Sequence, residues 1–96
     1  MTRLEIITYS VAVTGRVQGV SFRDWTIRQA CQLNISGWVR NRRDGTVEAL
    51  ISGSSDKIKV MLNRLEVGPS SANVTSIRLK KSCPPSVIGF RKLMTV

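Results

Sequence analysis

Gly15-Arg16-Val17-Gln18-Gly19-Val20-Ser21-Phe22-Arg23 joins an apolar, β-branched stretch to a segment of helical periodicity through a turn bracketed by two glycines. Upstream, from Ile6 to Thr14, Ile7, Tyr9, Val11 and Val13 share one parity, the pattern of a half-buried strand. Downstream, Phe22, Thr26, Ala30 and Leu33 recur at helical spacing with Ile27 beside them, which predicts a helix from Phe22 to Leu33. Asn34 is an acceptable stop, because asparagine tolerates the left-handed conformation that ends many helices.

Two further strands follow, Ser36 to Asn41 and Thr46 to Ser52, joined by Arg42-Arg43-Asp44-Gly45, whose Asp-Gly is a strong hairpin signal. Ser54-Ser55-Asp56 then supplies capping residues and an early acid. Ile58, Met61, Leu62 and Leu65 carry a second amphipathic helix that Gly68-Pro69 terminates. Val74 to Lys80 reads as a strand, Cys83-Pro84-Pro85 as a breaker, and Val87 to Leu93 as a short last strand. The order strand, helix, strand, strand, helix, strand is the ferredoxin-like split βαβ pattern of the α+β class. It predicts a four-stranded antiparallel sheet with two helices on one face and a short extra C-terminal strand. Residues 1–96 are read as one domain, since 96 residues bury roughly 60–65% of their unfolded surface, enough for a single core.

Composition narrows the function. There is no histidine, so the commonest general base and transition-metal ligand is absent. Cys31 and Cys83 match no metal or redox spacing and are read as reduced thiols. Fifteen Lys and Arg against six Asp and Glu give a net charge of +9, which suits an anionic partner. The basic residues are scattered, however, in no block longer than Arg42-Arg43 or Lys80-Lys81, so nucleic acid is not expected as a partner. Of the aromatic residues, Trp38 alone is placed by alternation on the outer sheet face, whereas RNA-binding sheets display several stacking rings. Met1-Thr2-Arg3-Leu4-Glu5 lacks a signal-peptide core, and no apolar run approaches the roughly 20 residues of a membrane span. A cytoplasmic monomer with no membrane contact is expected.

The glycine turn carries the chemistry. Backbone amides exposed there, with the positive end of the following helix, form a cradle for a phosphate-sized anion. Arg23, within one helical turn, is placed to close it with a planar, permanently charged fork. The pattern matches neither the Rossmann fingerprint nor the P-loop, and no cysteine precedes the arginine as a thiol nucleophile. Asn41 shares the core-facing parity of Gly37 and Val39 at the end of its strand. It either opens the turn before Asp44-Gly45 or approaches Arg23 across the first helix's N-terminus.

Gly15-Arg16-Val17-Gln18-Gly19-Val20-x-Phe22-Arg23, Gly37-Trp38-Val39-Arg40-Asn41, Asp44-Gly45-Thr46-Val47-Glu48, Gly68-Pro69 and Gly89-Phe90 together resemble the acylphosphatase signature over nearly the whole chain. The resemblance implies metal-free, cofactor-free hydrolysis of the carboxyl-phosphate bond of a small acyl phosphate to a carboxylate and inorganic phosphate, which as product also acts as inhibitor. It implies that Arg23 binds the phosphoryl group with amides from about Gly15 to Val20 (Gly15, Arg16, Val17, Gln18, Gly19 and Val20), Arg16 and Gln18 shaping the loop. Asn41 is implied to orient the attacking water. Ser21 stands where relatives often carry glycine or a bulky apolar residue, Asn34 replaces a frequent glycine after the first helix, and Arg91-Lys92-Leu93-Met94-Thr95-Val96 fits the usual last strand least well. A non-catalytic phosphate- or RNA-binding module of the same fold is the competing reading.

Overall fold

In the computed structural model, which describes residues 5–96, the element order is β1 (Ile6–Arg16), α1 (Phe22–Gln32), β2 (Ser36–Asn41), β3 (Val47–Ser54), α2 (Ser55–Val67), β4 (Asn73–Lys81) and β5 (Phe90–Lys92). The reading of Met1 to Leu4 as free of a signal core lies outside the described residues. The strands form one sheet in the order β4-β1-β3-β2-β5. Four of them pair antiparallel as the sequence predicts, and β5 adds to the edge of β2 in parallel.

Alternation along β1, β2 and β3 sends Val11, Val13, Val39, Val47, Ala49 and Ile51 to one face, where each is at most 1% exposed. The helices cover that face. α1 contributes Phe22 and Ala30, and α2 contributes Ile58, Met61 and Leu65 at i, i+3 and i+7, all within one buried cluster. Phe22, Ile58, Met61 and Leu65 each stabilise the fold by about 1.5–3 kcal/mol through burial. Thr26 lies in the same α1 stripe with its hydroxyl satisfied, donating to the Phe22 carbonyl at 2.8 Å.

Three local differences from the sequence reading have physical causes. β1 runs past Thr14 to Arg16, because a bulge between Thr14 and Gly15 lets the strand keep pairing with β4. Gly15 sits there at φ 129°, and a Cβ would overlap the Asn73 carbonyl, so the first glycine serves the strand. Ser54 precedes α2 in an extended conformation and makes no side-chain cap bond. The helix entry is held by the backbone, the Ser55 amide donating to the Glu5 carbonyl at 2.9 Å. Finally, the last strand shortens to Phe90–Lys92, yet the chain beyond it stays bonded along β2. Leu93 N–H donates to Val39 O (2.9 Å), Val96 N–H to Asn41 O (3.2 Å) and Arg43 N–H to Val96 O (2.8 Å). Among the described residues, no helix is long and apolar enough to cross a membrane.

Candidate active site

The connection from β1 to α1 is built to leave its backbone amides unused. Val17 is buried in the core at 1% exposure and Phe22 at 2%, so the chain is pinned at both ends of a short loop. Gly19 adopts φ 74° with open space where a Cβ would stand, which keeps the loop's surface free of side chains at that point. Ser21 follows at φ 60°, a left-handed conformation, as the N-cap of α1, and makes no side-chain cap bond. Among the described residues, no backbone amide from Gln18 to Asp24 reaches a backbone acceptor. The first bond at this helix end runs from Trp25 N–H to the Ser21 carbonyl at 3.0 Å. A row of unsatisfied donors at a helix N-terminus is a ready anion site.

Side chains brace the loop from two directions. Gln18 Nε2 donates to the carbonyls of Arg42 (2.7 Å) and Thr46 (2.8 Å), fastening the loop to the hairpin turn that follows Asn41. That turn is itself held by Asp44, whose Oδ1 accepts from the amide and hydroxyl of Thr46 at 2.9 and 2.6 Å. Those two bonds hold the Asp44 carboxyl below its ordinary pKa. From the other side, the Ser71 hydroxyl donates to the Val20 carbonyl at 3.0 Å.

The result is a polar cavity of ≈ 250 Å³ lined by Val17, Gly19, Ser21, Phe22, Arg23, Asp24, Asn41 and Lys92. Arg23 and Asn41, on α1 and β2, are therefore brought together. Arg23 is half-buried, and among the described residues it makes no hydrogen bond or salt bridge, leaving its fork available to a ligand. Asn41 Oδ1 is buried with no hydrogen-bond partner, an expensive state unless something occupies the cavity beside it. Of the loop residues expected to contribute, Val17 and Gly19 line the cavity. Gly15 and Arg16 end strand β1, Arg16 being exposed, and Gln18 and Val20 act as the loop's anchor points.

Four lining residues were not expected at the site, Ser21, Phe22 and the charged pair Asp24 and Lys92. Lys92 Nζ donates to Asp24 Oδ1 at 2.8 Å across the cavity mouth. That bond, with the positive charges of Lys92, Arg23 and Arg28, holds the Asp24 carboxyl below its ordinary pKa. The signal was present in β5: Lys92 shares the parity of Phe90, which packs on the core, so a lysine stands on the inward face of that strand. Its partner and its distance from the loop follow only from the parallel pairing with β2. On the opposite sheet face Trp38 lies under the Arg40 guanidinium, 4.6 Å from the ring centroid, and Arg40 also bonds Glu48 at 2.8 Å.

The model of the acylphosphatase family matches residues 9–92. An acylphosphatase of Acidiphilium cryptum is 43% identical over 90 residues, 94% of this chain and 99% of the relative. Among solved structures, an acylphosphatase from Coxiella burnetii superposes with a TM-score of 0.88 at 32% identity, covering 97% of this chain and 100% of that one. The acylphosphatase of Bacillus subtilis gives a TM-score of 0.85 at 31% identity, with 93% and 99% coverage. With the matched region containing the glycine loop, Arg23, Asn41 and Lys92 alike, the chain belongs to the acylphosphatase family.

Proposed function

We infer that this chain hydrolyses acyl phosphates with Arg23 and the loop amides binding the phosphoryl group and Asn41 holding the attacking water. The observation that supports this assignment of roles is the convergence of an unpaired arginine, unused amides and a buried, unpartnered amide oxygen on one cavity. The water oxygen forms the new P–O bond while the bond from phosphorus to the acyl oxygen breaks, and the departing carboxylate keeps the electron pair. The water's proton passes to a phosphoryl oxygen.

The chemistry suits a site without imidazole. A carboxylate leaves with a conjugate-acid pKa of roughly 4, so it needs no general acid. Phosphoryl transfer through a loose transition state asks for a positioned water more than a deprotonated one, and an amide oxygen accepting a hydrogen bond from that water supplies the positioning. Charge collects on the phosphoryl and leaving-group oxygens, where the Arg23 fork and fixed backbone donors act. An alkyl phosphoester, whose leaving group demands protonation, finds no imidazolium here, and the Asp24 carboxyl is held in its ionised form by Lys92.

Hydrolysis of benzoyl phosphate by the purified chain, with chelator present and Arg23→Gln as control, tests the reading. Turnover unaffected by chelator and lost in Arg23→Gln is expected, together with competitive inhibition by inorganic phosphate. Activity retained in Arg23→Gln, or a strict requirement for a divalent metal, overturns it.

A further inference from the structure

One group in the cavity works against an anion. Asp24 directly follows Arg23 in the first turn of α1, and its carboxylate lines the same cavity. An acid in that turn favours the helix, whose N-terminus has no side-chain cap at Ser21. The same charge repels a phosphoryl group seated on the loop amides. Helix stability and anion binding therefore compete for one helix end.

Lys92 resolves the competition. It reaches the cavity from β5, where its Cα pairs with Val39, two residues before Asn41 on the same face of β2. Its ammonium meets Asp24 Oδ1 at 2.8 Å while both side chains remain about half exposed. With the pair formed, Arg23 is the one charge in the cavity lining left without an ion-pair partner among the described residues.

Resting on the reading of the cavity as a phosphoryl site, we propose that Lys92 is a positioning residue that acts through Asp24. Its ammonium neutralises the carboxylate beside Arg23 and so keeps the helix end receptive to the substrate's phosphoryl group. Lys92 does not bind the phosphoryl group itself.

The test is a double-mutant cycle on the full chain, read as the affinity for inorganic phosphate by titration calorimetry and as KM and kcat for benzoyl phosphate. Lys92→Met unmasks Asp24 and weakens phosphate binding roughly three- to tenfold, the range for an unscreened charge a few ångströms beyond contact at a partly exposed site. KM rises in step and kcat stays close to that of the wild type. Asp24→Asn leaves Lys92 uncompensated and tightens phosphate binding, and Lys92→Arg preserves the wild-type affinity. The double variant Lys92→Met/Asp24→Asn regains at least the wild-type affinity, which a pair serving only to tie β5 to α1 does not predict. Raising salt narrows the difference between Lys92→Met and wild type.

A double variant as weak as Lys92→Met shows Lys92 holding phosphate directly and overturns the proposal. So does an unchanged affinity in Lys92→Met, a weaker one in Asp24→Asn, or a wild type that binds no phosphate. Asp24→Asn keeps the test decisive if the three-residue strand β5 does not tolerate Lys92→Met. Phosphate affinities that follow the cycle in a chain unable to hydrolyse benzoyl phosphate leave the ion-pair proposal standing and remove the hydrolase reading. Hydrolysis with affinities that ignore the cycle does the reverse.

Discussion

The two strand-to-helix junctions of this fold start from the same topology and end with opposite chemistry. β1 reaches α1 through residues 17–21, with glycine at 19 and a left-handed Ser21, and the second residue of the helix is Arg23. β3 passes directly from Ser54 into Ser55, and the second residue of α2 is Asp56. Neither helix has a side-chain cap bond. At α2, though, the Ser55 amide is used by the Glu5 carbonyl, and the neighbouring cavity of ≈ 400 Å³ is lined, among the described residues, by serines, prolines and Lys57 but no arginine. If the α1 end is the phosphoryl site proposed above, a helix dipole alone does not make one. The loop that leaves amides unbonded and the sign of the second helical residue decide it.

Exchanging the charge at these matched positions breaks the comparison most severely. Arg23→Gln is expected to lower kcat/KM by at least about 10²–10³-fold, the scale for removing a principal transition-state donor, and to weaken phosphate inhibition as well. Asp56→Asn, at the equivalent place in α2, leaves both within about twofold, since surface substitutions away from the site change little. Next comes Asn41→Ala. On the proposed roles it removes the water's anchor without touching the loop amides, so kcat is expected to fall about 10- to 100-fold while phosphate affinity moves less than about threefold. Equal losses in the two quantities would assign Asn41 to phosphoryl binding instead.

Gln18 tests whether bracing, and not only donor count, separates the junctions. Its two bonds to the Arg42 and Thr46 carbonyls fix the loop against the hairpin, and the α2 junction, with no loop, needs no such brace. Gln18→Ala is expected to cost about 1–3 kcal/mol of stability by freeing the part-buried bonds, and to raise KM severalfold. Denaturant unfolding and steady-state kinetics on one preparation check both. A stability loss with unchanged KM would show that the loop holds its shape without the hairpin.

How far the sequence could foretell this depends on how local each signal is. The helices and strands were legible from period, because Val11, Val13, Ile58, Met61 and Leu65 keep their spacing whatever lies around them. That Arg23 and Asn41 line one cavity was only partly legible: Arg23 lies one turn from the glycines, whereas parity carried Asn41 to the core face but left open whether it merely opened the turn, and the resemblance to the family favoured the cavity. What parity could not tell is that Gly15 belongs to a bulge, since a bulge is a property of the pair β1 and β4 and not of β1 alone. Lys92 and Asp24 are 68 residues apart, and only the parallel register of β5 on β2 brings them together. Ser54 looked like a cap and occupies the N-cap position, but its side chain makes no cap bond.

Two smaller effects sharpen the contrast. Ser21 bears a non-glycine side chain in the left-handed region at φ 60°, a conformation costing roughly 1–2 kcal/mol for most residues. Ser21→Gly is expected to stabilise the chain by about 0.5–1 kcal/mol, part of the relief being offset by the entropy glycine loses on folding. Asn34, at φ 54° after α1, gains less from glycine, because asparagine already tolerates this region. Thermal or denaturant unfolding of the two variants ranks them.

The smallest effect lies in the two first-turn acids, whose carboxyls both titrate below the ordinary aspartate value of about 3.9. The causes differ: Lys92, from the far end of the chain, lowers Asp24, whereas the adjacent Ser54 hydroxyl lowers Asp56. A carboxyl with a lowered folded-state pKa binds its proton more readily in the unfolded chain. Its contribution to stability is therefore present above about pH 4 and is lost as pH falls through the folded-state value. Melting temperatures measured from pH 5 down to 2 should decline, and less steeply in Asp24→Asn and in Asp56→Asn. Salt separates them, because it screens the exposed Asp24–Lys92 pair while leaving a local hydroxyl bond nearly untouched. At high salt the Asp24 share of the slope should shrink and the Asp56 share persist. Equal salt sensitivity at both helix ends would mean that Asp24 is held by its own helix and not by the strand across the cavity.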